Sequence, residues 1–185
     1  MERQEVELYL QELGDELERR GFQEPVRIMI VGGVYMLMMV GNRESTQDID
    51  VVLMDLPDTT NRDTATKETK LFQTAVRAVA RRLKIKQHWL NDDAALFVRG
   101  FAPEPQARHW KTFGKLSVYL PSKACILALK LISFREKDRS DVEALSQQLG
   151  VRTRDEAQAL VDTFIAKRWQ EEYFLEDTLD ELFFE

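Results

Sequence analysis

Two carboxylates separated by one apolar residue, Asp48-Ile49-Asp50, follow a glycine pair, Gly32-Gly33, at short distance, and the combination could carry phosphoryl chemistry. In an extended strand, alternation sends Asp48 and Asp50 to one side and Ile49 to the other. Carboxylates held so close raise each other's pKa unless a cation lies between them. Mg²⁺, or Mn²⁺ in its place, meets that need, because such hard ions take oxygen ligands and combine one or two protein carboxylates with substrate phosphates. The glycine pair supplies the complementary half. Backbone without side chains at a helix N-terminus lets amide N–H groups come close to a phosphate. Taken singly, an Asp-x-Asp is a loop feature and a Gly-Gly is a turn; together, around an apolar helix, they read as an active site.

The neighbouring elements must position these groups. Val26 to Val31 is a short β-branched apolar run between Pro25 and the glycines, which predicts a buried strand. Val34 to Val40 is apolar on every face and far too short to span a membrane, which predicts a buried helix ending near Gly41-Asn42. Val6, Leu10, Leu13 and Leu17 predict an amphipathic helix over residues 3–20, and Leu71, Ala75, Val79 and Leu83 predict another after a loop reaching Thr66. Ile85 to Leu90, Ala95 to Val98 and Lys115 to Leu120 read as strands, with Asn91-Asp92-Asp93 as a turn. That turn offers Asp92 or Asp93 as a third acidic ligand, or serves backbone geometry alone. Residues 101–113, with two prolines, His109 and Trp110, read as an irregular loop.

A second informative stretch runs from Pro121 to Leu149, with Ser122 as a cap. Read as one helix, or two nearly continuous ones, it places Leu127, Leu131, Phe134, Val142, Leu145 and Leu149 on one stripe, and Asp138 falls there too. A carboxylate in an apolar seam is costly unless something meets it. Lys130 and Asp141 border the same face. Alternatively the helix breaks near Lys137, and Asp138 caps the next one or pairs with Arg135.

The order strand, Gly32-Gly33, helix, Asp48-x-Asp50 strand resembles the DNA polymerase β-like nucleotidyltransferase superfamily. The intervening Arg43-Glu44-Ser45-Thr46-Gln47 is similar to a variant seen in toxin-type members, and Lys130 followed by Arg135, Asp138 and Asp141 resembles later motifs of AbiEii/MenA-type toxin-related nucleotidyltransferases. The likeness covers roughly Val26–Leu53 and Lys115–Leu145. It implies an α/β fold with a mixed sheet of nucleotidyltransferase type, flanked by helices, and an all-helical C-terminal portion. The implied activity is Mg²⁺-dependent transfer of a nucleoside monophosphate from an NTP to a hydroxyl acceptor. Asp48 and Asp50 would hold the metal. Gly32, Gly33, Arg43, Ser45, Thr46 and Lys130 would bind the nucleotide, and Lys130, Asp138 and Asp141 would join the catalytic set. The 3′ end of tRNA is the acceptor implied, with an antitoxin or other protein as partner. A protein-modifying nucleotidyltransferase and a non-catalytic nucleotide- or partner-binding module on the same fold are the alternatives.

Composition bounds the rest. A chain of 185 residues suits a core at residues 1–120 with a helical portion at 121–185 packed on it as one compact unit. With 44% hydrophobic and 31% charged residues and no long apolar run, a soluble cytoplasmic protein is expected. The single cysteine, Cys125, sits in an apolar run and reads as a buried inert thiol. His88 and His109, without ligand spacing, read as ordinary surface or packing histidines. A net charge of −6 argues against a general nucleic-acid coat and leaves room for a local basic track from Arg62 to Lys86, including Arg77, Arg81 and Arg82. Ala157 to Trp169 and Glu171 to Phe184 are predicted helices, the second carrying many aromatic residues among acids.

Overall fold

The structure is a computed structural model and describes residues 1–57, 66–103 and 105–183. The expected loop before Thr66 and the Arg62 end of the basic track fall largely outside the described residues, as does Phe184. The chain divides into two compact units, Met1–Leu96 with Ala107–Leu120 and Phe97–Gln106 with Pro121–Glu185.

The first unit is α/β. Its strands are β1 (Val26–Ile30), β2 (Ile49–Leu53), β3 (Leu90–Asn91), β4 (Arg108–Phe113) and β5 (Leu116–Leu120). Among the described residues they form one mixed sheet in the order β3-β2-β1-β5-β4. β1 runs antiparallel to β2 and parallel to β5, so it is central, and only Arg27 on it is exposed. Such near-continuous burial is what a strand covered on both faces requires.

Helix α1 (Arg3–Arg19) buries Val6, Leu10, Leu13 and Leu17 completely, the stripe read from the sequence. α1 packs against α3 (Lys67–Leu83), whose buried face centres on Phe72, Ala75, Val76 and Val79. α3 is capped by the Thr66 side chain, which accepts the Thr69 N–H at 3.1 Å. Between β1 and β2 lies a short buried helix, α2 (Gly32–Tyr35), continued by a π-helical turn, Met36–Val40. The Gly41 N–H closes that turn on Met36 O at 2.8 Å. Arg3 of α1 donates to Leu37 O and Met38 O at 3.1 and 2.9 Å, filling carbonyls that a helix end leaves unpaired.

Three local expectations change. The strand expected over Ile85–Leu90 shrinks to β3 at Leu90–Asn91, the residues before it forming a turn closed by the Trp89 N–H on Lys86 O at 3.2 Å. Ala95–Val98 is not a strand but the start of α4 (Ala95–Phe101), with Ala95, Val98 and Phe101 buried at helical spacing. Asn91-Asp92-Asp93 launches it, since Asn91 Oδ1 accepts the Asp93 N–H at 3.1 Å and Asp92 O accepts the Ala95 N–H at 2.9 Å. The expected irregular segment around His109 and Trp110 is β4, with a register shift between His109 and Lys111 that interrupts its alternation.

The second unit is helical: α5 (Lys123–Ile132), a 3₁₀ turn at Glu136–Asp138, α6 (Arg139–Leu149), α7 (Arg154–Phe164), α8 (Lys167–Glu172) and α9 (Leu175–Leu182). Phe97–Gln106 belongs to it through aromatic packing: the Phe101 ring lies 5.2 Å from Trp169 and 4.9 Å from Tyr173. Thr153 and Glu156 form the capping box that starts α7. Among the described residues, no helix is long and apolar enough to cross a membrane.

Candidate functional site

The chain must leave β1 and enter α2 with almost no connecting residues. Val31 is extended, and its N–H donates to Asp50 O at 2.9 Å, tying the end of β1 to the start of β2. Gly32 then turns with φ +66°, a left-handed conformation open mainly to glycine. Its missing side chain has a second consequence. A Cβ there would collide with Oδ2 of Asp50 and stand 3.0 Å from the Asp50 Cγ, so this carboxylate lies directly against the glycine backbone.

Gly33 is approached from the loop that precedes β2. A Cβ on it would stand 3.0 Å from Nη1 of Arg43 and 3.0 Å from Oγ1 of Thr46. The Thr46 hydroxyl also donates to Asp48 O at 3.0 Å. Thr46 is fixed in turn by the Met1 backbone, donating its N–H to Met1 O at 2.9 Å and accepting from the Met1 amino group at 2.6 Å. The Ile49 N–H donates to Trp89 O at 2.7 Å. The loop is therefore held on both sides of Asp48. Asp48 immediately precedes β2 and Asp50 is its second residue; both are half-buried around a fully buried Ile49, the burial pattern that alternation predicts.

Gly32, Gly33, Arg43, Thr46, Asp48 and Asp50 thus form one corner of the first unit. The amides opening α2 have no acceptor within the helix, a guanidinium lies beside them, and the Asp50 carboxylate stands at the same turn, with Asp48 joined to it through the bond its carbonyl accepts from Thr46. Ser45 is exposed and lines a shallow groove with Thr46, Gln47, Lys84 and Lys86. The donors at the corner are oxygen only, in keeping with Mg²⁺ or Mn²⁺. Among the described residues, no group of three His, Cys, Asp or Glu side chains is gathered to hold a metal ion. Asp50 pairs in register with Asn91, so alternation sends Asp92 to the Val51 face. There Asp92 lines a cavity of about 280 Å³ with Val51, Leu53, Phe72 and Val76. His88 lines that cavity too, while His109 bonds Thr112 Oγ1 at 2.9 Å.

The other predicted residues meet in the second unit. Lys130 Nζ lies 2.9 Å from Oδ1 of Asp138 and 2.6 Å from Oδ2 of Asp141, and Arg135 Nε lies 2.8 Å from Oδ2 of Asp138. Asp138 and Asp141 side chains are 3% and 0% exposed, so both need those cations. The break after Ile132 folds α6 back toward α5 and brings Lys130 and Asp141 together, which one straight helix would not do. Asp138 precedes α6 but makes no side-chain cap bond; its charge goes to Lys130 and Arg135 instead. Burial alone would raise the Asp138 pKa; the hydrogen bonds and charges of Lys130 and Arg135 outweigh it and hold the carboxyl below its ordinary value.

Sequence reasoning assigned no role to Met1 or Trp89, whose backbone contacts hold the Asp48 loop. These contacts join residues far apart in the chain, and no local pattern announces them. No family model, curated protein or solved structure matches the chain.

Proposed function

We propose that the first unit is a nucleotidyltransferase-type domain that transfers a nucleoside monophosphate from an NTP to a hydroxyl acceptor. The observation that carries this reading is the corner itself, with Asp50 against Gly32, and Arg43 and Thr46 against Gly33. An anion-binding helix start and an acidic pair at one turn suit a triphosphate and the cation that accompanies it. The strand and helix order from α1 to β3, with Asp50 on the strand antiparallel to β1 and Asp48 just before it, supports the same reading.

In this reaction the acceptor oxygen bonds to the α-phosphorus as the bond from that phosphorus to the bridging oxygen breaks. Pyrophosphate leaves, and the acceptor proton passes to solvent. Asp48 and Asp50 would hold Mg²⁺ or Mn²⁺, whose chemistry when bound is to acidify the attacking hydroxyl and offset phosphate charge. The α2 amides and Arg43 would hold phosphate oxygens as negative charge shifts toward the leaving group. Thr46 would position Asp48 through its carbonyl. Lys130 already contacts two carboxylates, so binding a phosphate would require displacing one of them. In this reading Asp138 and Asp141 orient Lys130.

For the acceptor we carry forward the tRNA 3′ end, and with it a toxin role with an antitoxin or other protein partner. The support is the family resemblance together with exposed Arg77, Arg81, Lys84 and Lys86 along and just beyond α3. The test is incubation with each α-labelled NTP, Mg²⁺ or Mn²⁺, and total RNA, following label into RNA and into protein. Incorporation into RNA, lost in Asp50→Asn, is the expected result. Label on protein alone would replace the acceptor. NTP binding without transfer to either would leave a non-catalytic module.

A further inference from the structure

The connector between α8 and α9 passes through Phe174. Phe174 has φ +52°, a left-handed backbone that disfavours a bulky side chain, and it is 70% exposed. Its position explains the conformation: the Phe174 N–H donates to Glu171 O at 3.2 Å, and its carbonyl accepts the Thr178 N–H at 3.3 Å, so one residue ends α8 and begins α9. Glycine or asparagine meets that demand without strain. A phenylalanine here carries both backbone strain and a ring left in water, while neighbouring Trp169 and Tyr173 pack with Phe101.

The ring borders a groove of about 540 Å³ lined by Arg154, Lys167, Glu171, Phe174, Glu176 and Asp177 among others. The two cations there are already matched, Arg154 by Glu176 and Asp180, and Lys167 by Asp162. Among the described residues, exposed Glu171, Glu172 and Asp177 have no ion-pair partner. The surface thus combines exposed aromatic residues, Phe174 and the 43% exposed Tyr173, with an excess of negative charge, the one nearby cation on α8 outside these pairs, Arg168, lying over the Trp169 ring. Such a surface suits cationic side chains, which gain from the carboxylates and from the face of the ring.

We propose that the α8–α9 face around Phe174 is a docking site for a basic segment of a partner protein. This inference does not depend on the nucleotidyltransferase reading. The full chain would be titrated into fluorescein-labelled nona-arginine, with anisotropy read at several salt concentrations. Phe174→Gly is expected to weaken binding about tenfold while Tm stays level or rises, because glycine relieves the backbone. Glu171→Gln with Glu172→Gln and Asp177→Asn is expected to weaken binding and flatten its salt dependence. A control carrying Glu18→Gln, Glu24→Gln and Glu143→Gln is expected to bind like the wild type. Equal losses in control and test triples, or unchanged affinity in Phe174→Gly, would reduce binding to general charge attraction and overturn the site. Sedimentation showing a dimer that Phe174→Gly dissolves would also overturn it, in favour of a second copy of this chain as the occupant.

Discussion

The carboxylate of Asp50 occupies the space that a side chain on Gly32 would need. Gly32→Ala therefore meets two penalties, a left-handed backbone at about 1–2 kcal/mol and displacement of the carboxylate. Gly21, at φ +82° with open space around its Cα, carries only the first. Gly21→Ala should lower stability by about 1 kcal/mol and Gly32→Ala by at least about 2 kcal/mol, measured by urea unfolding. Equal losses would mean that the corner yields to a methyl group.

Asp50→Asn and Asp48→Asn keep shape and remove charge from half-buried positions. Each should change stability by no more than about 1 kcal/mol, yet reduce NMP transfer by about a hundredfold or more, as loss of an electrostatic group at a reacting centre does. Metal chelation should abolish transfer in the wild type, and added Mg²⁺ or Mn²⁺ should restore it. Labelled-NTP incorporation and thermal unfolding, run together, separate a lost site from a lost fold.

Lys130, Asp138 and Asp141 form a buried cluster in which every charge depends on another. Lys130→Met would take a shared cation away from two buried carboxylates, of which Asp138 keeps Arg135, at a cost of about 3–5 kcal/mol by the usual penalty for breaking a buried pair. Adding Asp141→Asn to it should recover part of that loss. Additive losses in the double-mutant cycle would show that the two residues are not coupled.

The acid limb of stability follows from the same cluster and from Glu16. At Glu16 burial raises the pKa, but the hydrogen bonds of Arg82, Arg19 and Arg20 outweigh it, so its carboxyl, like that of Asp138, is depressed in the folded state. Each contributes stability that is fully present above the unfolded carboxyl pKa, about 4, and lost as pH falls through the lower folded value. Unfolding free energy should thus be level from neutral pH to about 5 and decline below about 4. Asp138→Asn should be less stable at neutral pH and show a shallower acid decline.

The glycine corner and the α1 stripe were legible because each is written locally, in a punctuating residue or a period. α4 was misread because Ala95-Leu96-Phe97-Val98 has strand-like composition, while its period, Ala95, Val98 and Phe101, emerges only over a longer window. β4 was hidden by the shift at His109/Lys111, which breaks the alternation that identifies a strand. The meeting of Lys130 with Asp141 required a break after Ile132, where the Ser133 hydroxyl donates to Leu129 O at 2.7 Å. A serine bonding back along its helix is a weak signal in sequence. The Met1 to Thr46 pairing had none.

Arg77, Arg81 and Arg82 look alike in sequence, but the fold gives them different work. Arg82 Nη2 lies 2.7 Å from Glu12 and its Nη1 lies 3.0 Å from Glu16, so its charge joins α3 to α1. Arg77 and Arg81 are exposed on the same helix. Arg82→Ala should lower stability by about 1 kcal/mol, near the upper end for a partly exposed ion pair, and leave RNA affinity nearly unchanged. Under the RNA-acceptor reading, Arg77→Ala with Arg81→Ala should do the reverse. Stability stays level, affinity falls, and the slope of log K against log salt decreases by roughly 0.7–0.9 for each phosphate contact removed. Filter binding across a salt series checks this; an unchanged slope would mean that the exposed face of α3 does not hold the acceptor.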